Sequence, residues 1–258
     1  MKNIILWGCQ GKMGYVLESC IAEREDCCVA AGIDLAEGER AFPVYTDPEK
    51  CSVKADAIID FSSPASLENL LGHALRTKTP VVIATTGYNE EQIARIKAAA
   101  QEIPVFFSFN MSLGINLLAE LARMAAAFLG SQFDVEIVEK HHHRKVDAPS
   151  GTALMLADAL NEALGGGRVY VYDRHSVRRP REPQEIGIHS VRGGTIVGEH
   201  EIIFAGRDEV ITLGHSAASR EIFAVGAINA AVYLSGVTAP GLYDMSKLLQ
   251  SRSEKEEI

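Results

Sequence analysis

The stretch GCQGKMG, Gly8 to Gly14, follows the apolar run NIILW at Asn3–Trp7 and stands at the start of a helix-forming segment. Glycines at 8, 11 and 14 allow a tight turn. They also let a pyrophosphate approach the backbone N–H groups at the positive end of the helix. Twenty residues after Gly14, where a second apolar run CVAAGID ends, stands Asp34. An acid there accepts hydrogen bonds from the ribose hydroxyls of a dinucleotide. Gln10 occupies the place of the second glycine in the usual GxGxxG spacing. The loop geometry is therefore open, while the order strand, loop, helix, acid is intact. Gly8, Gly11, Lys12, Met13, Gly14 and Asp34 are the first expected cofactor contacts.

Outward from this loop, the runs ADAIIDF, PVVIAT and PVFFSF alternate with the amphipathic stretches PASLENLLGHALRTK and NEEQIARIKAAAQE. That rhythm is the mark of βαβ units and a parallel sheet. Two strand ends add small polar residues: ATTGY contains Ala84, Thr85 and Thr86, and SFNMS contains Ser108, Phe109, Asn110 and Met111. The carboxyl ends of parallel strands face the ligand crevice of open α/β sheets, so these residues join the expected cofactor contacts. Ordinary turn chemistry would account for each loop equally well.

From about residue 113 the rhythm changes. A helix, SLGINLLAELARMAAAFLG, precedes the alternating strand FDVEIVE and an Ala/Leu-rich helix from Thr152 to Leu164 that stops at Gly165–Gly167. Then EIGIHSVRGGTIVGEHEIIFAGRDEVITLGH reads as three strands joined by Gly-Gly and Arg-Asp-Glu turns, an antiparallel meander. The last forty residues return to helix in SREIFAVGAINAAVYLSG and GLYDMSKLLQ. The expected fold is α/β. A Rossmann-like parallel-sheet domain spans 1–112 and 221–258, and into it is inserted an α+β domain, 113–220, on a mixed or antiparallel sheet.

Composition narrows the function. At 258 residues, 47% hydrophobic and 23% charged, the chain is globular and not disordered. A net charge of -9 argues against general nucleic-acid affinity, which needs an excess of lysine and arginine on the binding face. No uninterrupted apolar run reaches the roughly 18 residues of a membrane span, and the N-terminal run is too short for a signal-peptide core. The cysteines at 9, 20, 27, 28 and 51 are odd in number and lack CxxC spacing, so a reducing cytoplasm is the expected compartment.

The stretch EKHHHRKVDAPSGTA, Glu139 to Ala153, sets three histidines among cations in this acidic chain. If the strand runs on into the motif, Glu139, His141 and His143 share one face and His142 takes the other. Arg144 and Lys145 would then oppose a divalent cation, so no metal is expected. A surface or packed histidine cluster stays open as an alternative. An anion explains more: Pro149 and Ser150 open a helix with Ser150 as N-cap, and the Gly151 and Thr152 N–H groups lie at its positive end. Lys145 adds full charge, and a histidine serves as general acid near neutral pH.

With "IDFSSP", "NMSLGIN", "RGGTIVGEHEIIF", "AASR" and "GLYDM" in order around it, the segment closely resembles the signature of the 4-hydroxy-tetrahydrodipicolinate (dihydrodipicolinate) reductase family of the diaminopimelate route to lysine. The resemblance covers almost the whole chain. It implies NAD(P)H-dependent reduction of a small cyclic dicarboxylate, with release of water. By motif position His141 is the general acid with Lys145 its partner, while His142, Lys145, Gly151 and Thr152, with the capping Ser150, hold the carboxylates. It also implies a homotetramer and an inserted domain that serves substrate binding and oligomerisation. Asp34 would repel a 2'-phosphate and Leu35 offers no guanidinium, whereas Lys12 would attract one. NADH and NADPH both remain open, leaning to NADH. Another NAD-linked dehydrogenase of an anionic amino or oxo acid, or a non-catalytic NAD(H) sensor, would share the fold, because fold alone does not fix substrate.

Overall fold

The computed structural model describes residues 1–256. It divides into two compact units, Met1–Leu113 with Glu221–Ile258, and Gly114–Arg220. Unit 1 holds β1 (Lys2–Trp7), β2 (Cys27–Ile33), β3 (Val44–Tyr45), β4 (Ala57–Asp60), β5 (Val81–Ile83), β6 (Pro104–Phe107) and β12 (Gly241–Tyr243). They form one parallel sheet in the order β12-β6-β5-β4-β1-β2-β3. Every residue of β4 and β5 is buried, the near-continuous apolar pattern of strands covered on both faces. On one face Ile4, Leu6, Val82 and Phe106 meet α1 (Lys12–Ala22) and α6 (Glu221–Leu234). On the other, Ile5, Trp7, Ile58 and Ile83 meet α2 (Leu67–Thr77) and α3 (Glu90–Ala99), whose start is fixed by a reciprocal Asn89–Gln92 capping box.

The chain order reverses between β1 and β4. Strands β2 and β3 lie to one side of β1, and β4, β5 and β6 follow one another on the other. The loops after β1 and β4 therefore diverge, which opens a crevice at the carboxyl ends of the strands. One expectation fails at the sheet's far edge. GLYDMSKLLQ is not helical throughout: Gly241–Tyr243 pairs in parallel with Pro104–Phe106, and the helix α7 (Met245–Glu256) starts only after it. Asp244 marks that start, its carboxylate accepting from the Lys247 N–H at 3.0 Å.

Unit 2 holds α4 (Leu113–Leu129), β7 (Asp134–His141), α5 (Gly151–Ala163), β8 (Val169–Val171), β9 (Glu185–Arg192), β10 (Gly198–Ala205) and β11 (Val210–Ala217). The sheet order is β11-β10-β7-β9-β8, with β10 antiparallel and β9 parallel to β7. Val135, Ile137, Ile186, Ile188, Ile202 and Phe204 form the apolar layer that α4 and α5 cover. The covering residues are small or aliphatic, among them Ala122 and Ala126 on α4, and Ala153, Leu156 and Leu160 on α5.

The expected meander is corrected here. The sheet is mixed, and β9 and β10 are not neighbours, because β7 lies between them. The Gly193-Gly194 segment is no hairpin turn. It crosses the end of β7, where the Gly193 N–H donates to the His141 carbonyl (2.9 Å) and the His143 N–H donates to the Gly194 carbonyl (3.3 Å). Of the three strands expected in the meander, β10 and β11 alone form a hairpin, closed by a Gly206 N–H bond to the Glu209 carbonyl. A central β7 pairs both of its edges and sets its buried alternating face into the middle of the layer.

Helix α4 with its short continuation, Leu113–Gln132, is long and apolar enough by length and composition to cross a membrane. In unit 2 its Leu118, Ala119, Ala122 and Ala126 face belongs to the core under the sheet.

Phe204 is fully buried in this layer. Phe204→Ala is expected to destabilise the protein by about 3–5 kcal/mol, and Val210→Ala, at an exposed site, by less than about 0.5 kcal/mol, in urea unfolding followed by circular dichroism.

Candidate active site

In unit 1, Gly8 has φ of +84°, and a Cβ there would meet the Phe61 carbonyl oxygen at 2.7 Å. Helix α1 begins beyond Gly11 with no side-chain cap on its N-terminus. Asp34 holds the loop from the other side: one carboxylate oxygen accepts from the Gln10 N–H and the other from the Leu35 N–H, each at 2.7 Å. What Asp34 uses at position 10 is a peptide N–H, so the position need not be glycine. The Gln10 side chain turns to Arg40, which also pairs with Glu18 and the Cys9 carbonyl and stacks 3.6 Å over the Tyr15 ring. A cavity of about 270 Å³ lies beside the loop, lined among others by Gly8, Gly11, Asp34, Leu35, Ser62 and Ser63.

The expected cofactor residues separate by exposure. Lys12, Thr86 and Phe109 are exposed, and Phe109 sits edge-on to Phe107. Gly14 is buried against the Cys9 backbone, which leaves no room for a Cβ. Met13 packs on the core beneath the sheet, while Ala84 and Met111 are buried within it. The Ser108 hydroxyl donates to the Asn110 carbonyl (2.8 Å), and the Asn110 side chain accepts from the Ser112 N–H (2.9 Å). Thr85 accepts from the Ser62 N–H at 2.9 Å, which joins the loops after β4 and β5.

Asp60 organises the same junction and was not among the expected residues. Its buried carboxylate accepts from the Ser62 N–H (3.1 Å), the Ser62 hydroxyl (2.5 Å) and the Tyr88 hydroxyl (3.3 Å). Burial pushes its pKa up, against the pull of hydrogen bonds from Ser62, Thr85 and Tyr88. The sequence signal was a charge closing the apolar run AIID.

In unit 2, β7 ends at His141, and the Lys145 N–H donates to the His142 carbonyl (3.1 Å) in the turn that follows. His143 therefore does not continue the Glu139–His141 face, contrary to the expectation from strand alternation. His143 and Arg144 are exposed. Glu139 is fully buried, with Oε2 2.5 Å from His141 Nδ1. Arg192 donates to both of its oxygens, at 2.8 and 2.7 Å, and the Ser150 N–H donates to Oε1 at 3.1 Å. Burial pushes the Glu139 carboxyl up, but the hydrogen bonds from Arg192, Ser190 and His141 outweigh it and hold its pKa at about 2.

Ser150 caps α5, accepting from the Ala153 N–H (3.1 Å), and its buried hydroxyl also meets His200 Nε2 (3.1 Å). It thus builds the helix start, where Gly151 is exposed and Thr152 half-buried. His200, opposite Glu139 on β10, sits edge-on to His141 with ring centroids 5.2 Å apart. Burial, then the neighbouring His141, lowers the His200 pKa to about 4. Lys145 pairs with Asp147 at 2.9 Å, and Arg192 donates to the Asp147 carbonyl at 2.6 Å. Burial, then Arg144 and Arg220, lowers the pKa of His142. Among the described residues, no group of three or more His, Cys, Asp or Glu is placed to hold a metal. Arg192, Arg220 and His200 were not singled out in the sequence because each is distant along the chain from the histidine segment.

Family models described as the N-terminus and the C-terminus of dihydrodipicolinate reductase match residues 2–111 and 114–249. The chain belongs to the dihydrodipicolinate reductase family. It is similar to the 4-hydroxy-tetrahydrodipicolinate reductase of Caldanaerobacter subterraneus, 52% identical with 97% of this chain and 99% of the relative covered. The reductase of the same name from Clostridium botulinum is 45% identical, with 96% and 98% covered. A dipicolinate-bound dihydrodipicolinate reductase from Paenisporosarcina superposes with a TM-score of 0.80 at 25% identity, with 95% and 97% covered. A probable dehydrogenase from Thermotoga maritima shares the fold alone, at TM-score 0.59 and 13% identity over 99% of this chain and 97% of that one. As a dihydrodipicolinate reductase family member, the chain is an NAD(P)H-dependent oxidoreductase of lysine and diaminopimelate biosynthesis.

Because Glu139 is held at about 2 in the fold against 4.5 as its ordinary value, its contribution is fully present above pH 4.5 and is lost as pH falls through 2. The expected loss is about 3 kcal/mol. Urea unfolding at successive pH values from 6 to 2.5 checks this, with a flatter slope expected for Glu139→Gln.

Proposed function

We propose that unit 1 binds NADH or NADPH, and that unit 2 binds 4-hydroxy-tetrahydrodipicolinate, which is reduced to tetrahydrodipicolinate with release of water. One observation carries this reading. A histidine, a paired lysine and a capped helix start are gathered in unit 2, while unit 1 keeps a glycine loop beside a cavity. The dipicolinate named with the Paenisporosarcina reductase supports a small dicarboxylate ligand.

The cofactor fits unit 1 on the chain's own geometry. Gly8 lets the loop turn tightly against the Phe61 carbonyl, the uncapped start of α1 offers N–H groups, and Asp34 lines the cavity where an adenosine ribose would lie. Lys12, Thr86 and Phe109 are the exposed contacts. The backbone around Met13, Gly14, Ala84, Thr85, Ser108, Asn110 and Met111 shapes the rest. The bound nicotinamide supplies hydride to the substrate ring.

His141 donates the proton and Lys145, steadied by Asp147, assists. The two carboxylates are held by His142, Lys145, the Gly151 N–H and Thr152, with the positive charge of Arg220 beside them. Ser150 acts by fixing the helix start. His143 and Arg144 contribute electrostatics from the exposed side. The chain works in the cytoplasm as a homotetramer, which light scattering would test against a single-chain mass.

Two measurements probe this reading. A synthase that makes the unstable substrate is coupled to this protein, and oxidation of NADH and NADPH is followed. His141→Ala and Lys145→Ala should each lower kcat by about 10²–10³. If both retain full turnover, the assignment fails.

NADH should give the higher kcat/KM. Asp34 carries negative charge at the ribose end, Leu35 is exposed without a guanidinium, and Arg40 is engaged by Glu18 and Tyr15. Asp34→Asn, which keeps an acceptor and removes the charge, should narrow the NADH to NADPH ratio by roughly tenfold. An unchanged ratio would assign the preference elsewhere.

A further inference from the structure

The geometry points to Glu139, clamped by Arg192, as the positioning residue that fixes His141 as the Nδ1–H tautomer, leaves Nε2 to carry the transferred proton, and ties that atom to the carboxylate-binding start of α5. The inference rests on His141 being the proton donor.

Glu139 occupies a place where an apolar residue would fit. Val135 and Ile137 precede it on the same buried face of β7, and its side chain is fully buried. A buried charge is costly unless every lone pair finds a donor, and a buried ion pair is often no more stabilising than an apolar pair of similar volume. Fold stability alone therefore gives little reason for this pair. Donors fill both of its oxygens: Oε1 takes Arg192 Nη2 and the Ser150 N–H, Oε2 takes Arg192 Nη1 and His141 Nδ1, and the Ser190 side chain bonds the carboxylate as well.

An ionised carboxylate only accepts, so the Nδ1 that faces it at 2.5 Å must carry a hydrogen. Nε2 is then the sole ring atom that gains or loses a proton. Rotating the imidazole by half a turn would set a carbon against Glu139 and forfeit the bond. His200, edge-on at 5.2 Å, walls the ring on the β10 side. Gly198, at the start of β10, keeps space beside Nε2, since a Cβ there would lie 3.1 Å from that nitrogen.

The same carboxylate reaches two other parts of the cluster. Through the Ser150 N–H it anchors the residue that caps α5, immediately before Gly151 and Thr152. Through Arg192 it holds the carbonyl of Asp147, whose side chain pairs with Lys145. Arg192 from β9 reaches the same carboxylate as the ring; His200 from β10 lies against it, with His215 from β11 and Lys145 from the turn acting on His200; and His142 follows it, with Arg144, Arg220 and Lys145 around it. Proton donor, lysine and helix start are referred to one buried group.

The test compares Glu139→Gln and Glu139→Asp with the wild type in the full-length protein, by steady-state kinetics across pH and by 15N NMR of the His141 ring. Glu139→Gln should lower kcat by about ten- to a hundredfold, less than the whole effect of a general acid, with the KM for NADH changed less than about threefold. It should also move the pH limb that reports proton donation to lower pH, and give a mixed tautomer signature. Glu139→Asp should recover the Nδ1–H signature in part. Wild-type kcat together with an unmixed signature in Glu139→Gln would overturn the inference. If that variant does not fold, the wild-type spectrum decides: a neutral His141 protonated at Nε2 overturns the inference and one protonated at Nδ1 supports it. Full turnover in His141→Ala would instead overturn the proton-donor reading. Loss there with none in Glu139→Gln would overturn only the role of Glu139.

Discussion

A carboxylate set into an apolar layer must have its oxygens filled, and in unit 2 the whole polar cluster is arranged around that requirement. Glu139 follows Val135 and Ile137 on the buried face of β7, and its partners come from two other segments, Arg192 on β9 and Ser150 at the mouth of α5, and from His141 two residues on in β7 itself. Their donors compensate the desolvation that would otherwise protonate the group or unfold the layer. The position of the imidazole follows from that compensation. So does the position of the helix start, since its cap is bonded to the same carboxylate.

Unit 1 uses carboxylates in a related way, one part-exposed and one fully buried. Asp34 grips the peptide N–H of Gln10 and so shapes the glycine loop before any ligand arrives. Asp60 draws Ser62 and Tyr88 together at the ends of β4 and β5, beside the Ser62–Thr85 bond. Both acids stand at the carboxyl edge of a parallel sheet, on either side of the point where strand order reverses. The crevice is thereby preorganised, and a bound dinucleotide would not have to order it.

Elements with strong local signals were legible in the sequence. NIILW, CVAAGID and AIID are apolar runs bounded by turn residues, and each became a strand of the parallel sheet. Gly241–Tyr243 was missed because three residues at a sheet edge carry no period, and their pairing with Pro104–Phe106 is set far along the chain. The meander was misread for a related reason: nothing local to β9 and β10 records that β7 lies between them. Ser150 was legible as a cap from the helix signal that follows it. The bond from Arg192 to Glu139 spans 53 residues, and that of His200 to Ser150 spans 50, so neither had a motif to announce it. His143 was misplaced because strand alternation was extended past the residue where the crossing segment ends it.

That crossing segment also acts on fidelity of pairing. A strand slipped by one residue turns each side chain to the opposite face, so a slipped β7 would bury Lys140 and His142 and expose Glu139 and His141. The β-sheet ladders alone resist this only through their apolar residues. By bonding Gly193 to the His141 carbonyl and Gly194 to the His143 N–H, the segment adds a fixed stop at the strand's end, where the count of residues matters most.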